Sequence, residues 1–192
     1  MVSAILLAAG ESKRMGKPKL LMPFGRSTIL EQTVDNLLNS KVSEVIVVLG
    51  YKAEEAMPKI TAKPVKIAIN PVYHQGMSTS IIAGLNLIDD RGEAVMLVLA
   101  DQPFVDSKII NELVQQFYAH KKGIVIPTYQ GRRGHPIIFT IKYKTELLGL
   151  KGDTGGRQII EKHPDDILEV AVDSPGINID IDTISDYHSH SN

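Results

Sequence analysis

Leu6-Leu7-Ala8-Ala9-Gly10-Glu11-Ser12-Lys13-Arg14-Met15-Gly16-Lys17-Pro18-Lys19 joins a mostly apolar run to a cationic, glycine-containing loop. The run, residues 2–9, reads as a strand buried on both faces. The loop after it carries two glycines, three lysines and one arginine. Glycines permit close approach, backbone N–H groups bind oxygens and cations neutralise charge. A polyphosphate requires that combination.

Two common glycine loops do not fit. A P-loop needs four residues between its glycines, but five separate Gly10 from Gly16, and Pro18 replaces the Ser or Thr after the lysine. Pro18 also disfavours helical backbone at Lys17, so no helix should begin there. The dinucleotide fingerprint lacks its third glycine. A solvated basic turn between strand and helix would account for the same residues without a ligand.

The 192 residues suit a single domain over residues 1–192. The formal net charge is −1, aromatic residues make up 5% and tryptophan is absent, which disfavours a nucleic-acid partner. Without cysteine, disulfides and thiolate-ligated metals are excluded. The start lacks a signal-peptide pattern and its apolar run is too short for a bilayer, so the expectation is a cytoplasmic protein without membrane attachment.

Strand-like and helix-like segments alternate. Thr28 and Glu31 have capping-box spacing, followed by Leu30, Val34, Leu37 and Leu38 at helical period. Residues 45–49, 65–69 and 94–99 read as buried strands, and residues 78–87 as a helix capped by Ser78 or Thr79. Asp106 should cap a helix whose apolar face runs from Ile109 to Tyr118. Residues 124–126, 136–139, 168–172 and 177–181 are further strands or edges, and residues 142–162 a helical stretch broken by glycines. The tail from His188 is expected to be disordered. Alternation of this kind predicts an α/β fold, a mainly parallel sheet with helices on both faces.

In such sheets ligands gather beyond the carboxyl ends of strands, where both Gly10 and Asp101 should lie. Asp101 follows an apolar strand and precedes Gln102-Pro103, which suits a Mg²⁺ ligand working with substrate phosphates. Asp180 and Asp182 would share one side of an extended segment, and Asp186 suits a helix start. An acidic edge facing water explains the same pattern. Met77 reads as packing, and His74, His120, His163, His188 and His190 lack ligand spacing.

Leu-Ala-Ala-Gly-x-Ser-x-Arg-Met-Gly-x-x-Lys, from Leu7 to Lys19, resembles the signature loop of MobA-like nucleotidyltransferases, and within them the molybdenum cofactor cytidylyltransferases. Six further motifs follow in order: Asn70-Pro71, Gly76-Met77-Ser78-Thr79-Ser80, Ala100-Asp101-Gln102-Pro103, Gly134-His135-Pro136, Gly152-Asp153-Thr154-Gly155-Gly156-Arg157 and Asp180-Ile181-Asp182-Thr183. One departure is Gly156, where relatives often carry alanine. The resemblance implies a Rossmann-like nucleotidyltransferase fold and transfer of CMP from CTP to the terminal phosphate of molybdopterin. Pyrophosphate would leave, giving a cytosine dinucleotide cofactor.

By the same resemblance, Leu7, Ala8, Ala9, Gly10, Ser12, Arg14, Met15, Gly16, Lys19, Ser78 and Ser80 would bind the nucleotide. Arg14, Lys19 and Asp101 would be catalytic, with Lys17 nearer the rim. Asp101 and Asp182 would hold Mg²⁺, with Asp180 as competitor to Asp182. Arg133, His135, Asp153 and Arg157 would face the acceptor. Ala9 stands where guanylyltransferases tend to carry glycine. Implied partners are CTP, molybdopterin, and a molybdoenzyme or its maturation chaperone. A cytidylyltransferase for a sugar or polyol phosphate, or a non-catalytic nucleotide-binding maturation factor, remain the alternatives.

Overall fold

The computed structural model of the chain describes residues 1–190. Strand β1 (Val2–Ala8) is an inner strand of the main sheet, paired in parallel with β4 (Glu44–Leu49) and β6 (Ala94–Leu99). Ile5 stands between Ile46 and Leu97, which is why this segment must be apolar in nearly every position. Strand β5 (Lys66–Ile69) extends the sheet beyond β4. On the other side the order is β6, β9 (Ile137–Thr140), β7 (Ile124–Tyr129) and β10 (Ile167–Ala171), with the short β8 (Arg132–Arg133) on β7. Strands β2 (Pro23–Phe24) and β3 (Ser27–Thr28) form a separate antiparallel pair.

Helices cover both faces, as expected. Ala4, Leu6 and Ala8 pack with α1 (Ile29–Leu38), α2 (Ala53–Ile60) and α4 (Ser107–Ala119). Ile5 packs with α3 (Met77–Leu85), α5 (Lys144–Leu148) and α6 (Arg157–Lys162) on the opposite face. Each fully buried Leu or Ile contributes about 1.5–3 kcal/mol, so period-two alternation within β1 joins the two layers. The capping box forms, with Glu31 N donating to Thr28 Oγ1 at 3.2 Å and Thr28 N to Glu31 Oε2 at 3.0 Å. Asp106 caps α4 through Lys108 N and Ile109 N, both at 3.0 Å.

Three expectations need correction. Residues 177–181 are not a strand: Pro175–Asn178 forms a 3₁₀ turn, and the chain then runs irregularly to α7 (Ile184–His190). Neither Ser78 nor Thr79 caps α3; Gly76 holds that position at φ 114°, and Asp153 Oδ1 accepts from Met77 N at 3.2 Å. The tail from His188 is helical through His190, while Ser191 and Asn192 lie outside the described residues.

The chain visits β1, β4 and β5 in one direction, then returns to the other side of β1 for β6. The strand order therefore reverses between β1 and β6, where open α/β sheets place their ligand crevice. Strand β9 runs antiparallel to both β6 and β7, and its first residue, Ile137, pairs with Leu97 near the end of β6. Gly134-His135-Pro136 consequently lies at the same sheet edge as Gly10 and Asp101. Among the described residues, no helix is long and apolar enough to cross a membrane.

Candidate functional site

At the end of β1 the chain enters the loop with Ala9 O accepting from Tyr51 N at 3.2 Å. Gly10 is exposed, and a Cβ there would meet nothing within 4 Å, so the fold does not require glycine at this position. Among the described residues, no protein acceptor takes the N–H groups of Gly10, Glu11 or Ser12. Left-handed backbone at Ser12 (φ 54°) and Gly16 (φ 64°) brackets a 3₁₀ turn, Lys13–Met15. Ser12 Oγ accepts from Lys19 N at 3.2 Å, and buried Met15 packs with Met22, Ile29 and Ile181. Internal contacts thus shape the loop, leaving the amides of residues 10–12 without a protein acceptor.

Lys19 reaches back across the mouth of the sheet. Its Nζ lies 2.6 Å from Asp101 Oδ2 and 2.7 Å from Asp182 Oδ1, while Arg14 Nη2 lies 2.8 Å from Asp182 Oδ2. Burial alone would lower the Lys19 pKa, but the two carboxylates outweigh it and hold the ammonium above its ordinary value. Asp182 is fixed by its neighbours. Ile181 N donates to Asp101 O at 2.9 Å, and Asp186 Oδ2 accepts from Asp182 N at 3.2 Å and Thr183 N at 2.8 Å.

Asp180 turns elsewhere, accepting from Gln102 Nε2 at 2.6 Å. Burial raises its pKa and the charges of Asp101 and Asp182 raise it further, against the Gln102 hydrogen bond. Burial lowers the His135 pKa, opposed by Asp180 and Asp101. Asp101 and Asp182 are therefore the carboxylates that converge on one cationic atom.

A cleft of about 540 Å³ opens from this centre, lined on one side by Ala9, Gly10 and Ser12 and on the other by Gly76, Met77 and Ser80. Buried Asn70 organises the second wall. Its Nδ2 donates to Ser80 Oγ at 3.0 Å and Thr79 Oγ1 at 2.9 Å, and its Oδ1 accepts from Val72 N at 3.1 Å. Gly76 must be glycine, since a Cβ would lie 2.3 Å from the Gly152 carbonyl carbon. That contact brings Asp153 to the cleft. Gly156 has a local reason too: a Cβ there would lie 2.3 Å from Phe139 Cζ.

Of the residues singled out in the sequence, Leu7, Ala9, Gly10, Ser12, Arg14, Lys19, Ser80, Asp101, Asp153 and Asp182 line this one cleft. Ala8 and Met15 face the core, Gly16 closes the loop turn, and Ser78 is buried with its N–H on Gly152 O at 3.2 Å. Arg133, His135 and Arg157 do not line the cleft: Arg133 pairs with Glu169 at 2.7 Å, Arg157 with Glu161 at 2.8 Å, and His135 N donates to Ile177 O at 3.1 Å. Met77, read as packing, lines the cleft, as do His74, Tyr73 and Gln75. Sequence reasoning missed these and the role of Asn70. The Asn70-Pro71 turn before the glycine motif was the available signal.

A phosphate-suited loop at a topological switch point, facing paired carboxylates and two cations, defines an α/β nucleotidyltransferase. The chain belongs to the family of the MobA-like NTP transferase domain, whose family model matches residues 4–180. Similar curated proteins include nicotine blue oxidoreductase of Paenarthrobacter nicotinovorans, 28% identical over 93% of this chain and 92% of that protein. Another is the molybdenum cofactor cytidylyltransferase of Escherichia coli K12, 28% identical over 97% of this chain and 93% of that protein. Among solved structures, Rv0371c of Mycobacterium tuberculosis H37Rv aligns at TM-score 0.89 with 27% identity, covering 99% of this chain and 96% of that one. A manganese complex of Rv0371c aligns at TM-score 0.85 with 25% identity, covering 99% and 97%.

Proposed function

We propose that this nucleotidyltransferase moves CMP from CTP to the terminal phosphate of molybdopterin, releasing pyrophosphate and forming the cytosine dinucleotide cofactor for a molybdoenzyme. The convergence of Lys19, Arg14, Asp101 and Asp182 at the Gly10 loop carries this reading. The similarity to a cytidylyltransferase across almost the whole chain supports the choice of substrates. The cytoplasm, where nucleoside triphosphates are made, is the compartment such a reaction requires.

The acceptor phosphate oxygen forms a bond to the α-phosphorus of CTP, and the bond from that phosphorus to the β-phosphate bridge oxygen breaks. An acceptor phosphate is already anionic near neutral pH, so positioning and charge neutralisation suffice without a general base. Amides of residues 10–12 receive the β- and γ-phosphate oxygens. Lys19 and Arg14 turn to the phosphates and stabilise the charge on the departing pyrophosphate. Ser80, oriented by Asn70, meets the base edge. Asp153 and His135 are assigned to the acceptor side.

Asp101 and Asp182 suit a divalent cation, Mg²⁺, because their oxygens already converge on one positive atom and leave other positions to phosphate and water. When bound, that ion supplies Lewis-acid polarisation of the phosphates.

The test is pyrophosphate release with each of the four triphosphates in the presence of molybdopterin. CTP should be preferred, since the Ala9 methyl narrows the space that a purine would need, at about 1–3 kcal/mol for overpacking. Ala9→Gly should narrow the preference without reversing it, because Ser80 still favours cytosine. A native preference for GTP, or release only with a sugar or polyol phosphate, overturns the assignment.

A further inference from the structure

Gly50, immediately after β4, occupies a gap with no room for a side chain. A Cβ added there would lie 2.7 Å from Tyr73 Cβ and 2.8 Å from Ala9 Cβ. Tyr73 and Ala9 are thus pressed toward one another across a bare backbone at the carboxyl ends of β1 and β4. Tyr51 N holds Ala9 O at 3.2 Å, and the Tyr51 ring meets the Tyr73 ring edge-on at a centroid distance of 6.4 Å. The His74 ring also meets the Tyr73 ring edge-on, at 5.9 Å, and Asn70 Oδ1 accepts from Val72 N in the turn that carries both.

Tyr73, Ala9 and Ser80 all line the same cleft. The ring packs edge-on against Tyr51 and His74, and its polar end interacts electrostatically with Lys13.

We infer that Tyr73 is a specificity-determining residue, whose ring, seated against Ala9 across Gly50, sets the width of the base end of the cleft and admits a one-ring base ahead of a two-ring base. This inference rests on the reading of the cleft as a CTP site. Gly50 acts through Tyr73 as a positioning residue. The Ala9 methyl and the Tyr73 ring then work as one wall, and enlarging either side relaxes the same constraint.

Equilibrium binding of CTP, GTP and inorganic tripolyphosphate to the full chain, with Mg²⁺ present, tests this without the acceptor. Tyr73→Leu should shrink the CTP:GTP affinity ratio about tenfold while tripolyphosphate affinity stays unchanged, and Tyr73→Phe should retain the native ratio. Combining Ala9→Gly with Tyr73→Leu should give less than the sum of the single changes, as expected for groups that share one contact. An unchanged ratio in folded Tyr73→Leu overturns the inference alone. A native protein that binds GTP more tightly, or CTP no better than tripolyphosphate, overturns the CTP reading and this inference together.

Discussion

Lys19 and Asp101 are joined by a 2.6 Å ion pair, and the same ammonium lies 2.7 Å from Asp182. One lysine, 12% exposed, therefore sits on the two carboxylate oxygens that a divalent cation would use. Two cations cannot share that point without mutual repulsion. Triphosphate oxygens offer Lys19 an alternative partner, so nucleotide and metal should bind cooperatively.

Lys19→Met keeps the stem and removes the charge. Metal binding by the protein alone, measured with Mn²⁺, should tighten about tenfold, or about 1.4 kcal/mol. Pyrophosphate release should fall about 10- to 100-fold, as loss of a charge-assisted contact implies. Unchanged or weaker Mn²⁺ affinity would contradict the shared position.

Asp182→Asn should cost at least about a hundredfold in turnover and weaken metal binding, as should Asp101→Asn. Asp180→Asn should leave metal affinity within about threefold, because Asp180 faces Gln102 instead. Its raised pKa means the ionised form opposes folding: the favourable contribution is present below the unfolded value of about 3.9 and lost as pH rises through the folded one. Asp180→Asn should therefore raise the melting temperature at pH 7 and not at pH 3. Equal metal loss in both single variants would remove the distinction.

Gly10→Ala should fold like the native protein, since the added Cβ enters open space. Its cost should appear in ligand binding, where a methyl intrudes on the phosphate approach, weakening CTP about tenfold or more. A calorimetric titration beside a melting curve separates the two effects.

Arg14→Ala and Lys17→Ala should differ. Arg14 reaches Asp182 and lines the cleft, whereas exposed Lys17 does not. Triphosphate affinity should fall with the first and change little with the second. A larger loss at Lys17 would displace the phosphates from residues 10–14.

Asp166 ties three elements together through Gly123 N at 3.0 Å, Lys142 Nζ at 2.7 Å and the Tyr143 hydroxyl. Burial works against its charge, but these partners prevail and hold its pKa down to about 2. The stabilisation is complete above the unfolded value of about 3.9 and lost as pH falls through the folded one. Asp166→Asn should thus cost about 1–2 kcal/mol at pH 7, with the difference shrinking between pH 4 and pH 2. Denaturant midpoints across that range check the sign.

The elements that sequence made legible are those decided by near neighbours. Apolar runs identified β1, β4 and β6, and Thr28 with Glu31 marked the start of α1 from three residues apart. The glycines and cations of residues 10–19 pointed to the loop, and apolar strands marked the ends where Gly10 and Asp101 stand. What escaped was decided at long range. Helix α3 takes its cap from Asp153, 76 residues away, so Ser78 and Thr79 were free to do other work. The choice between Asp180 and Asp182 depended on where Gln102 and Lys19 reach, which no spacing within residues 180–182 encodes. Met77 read as packing and Tyr73 drew no reading, and only the fold placed them at the cleft.

The reversed strand β9 adds a second set of loops to the carboxyl edge of the parallel strands. Its antiparallel entry brings the Gly134-His135-Pro136 lead to that edge, while the Gly10 loop depends on β1, β4 and β6. The hairpin β7–β8 and the turn into β9 lie outside the parallel pairs under Gly10 and Asp101. A lineage built on this frame can therefore change what it acts upon while keeping the loop after β1, which fits the quite different names that similar proteins carry.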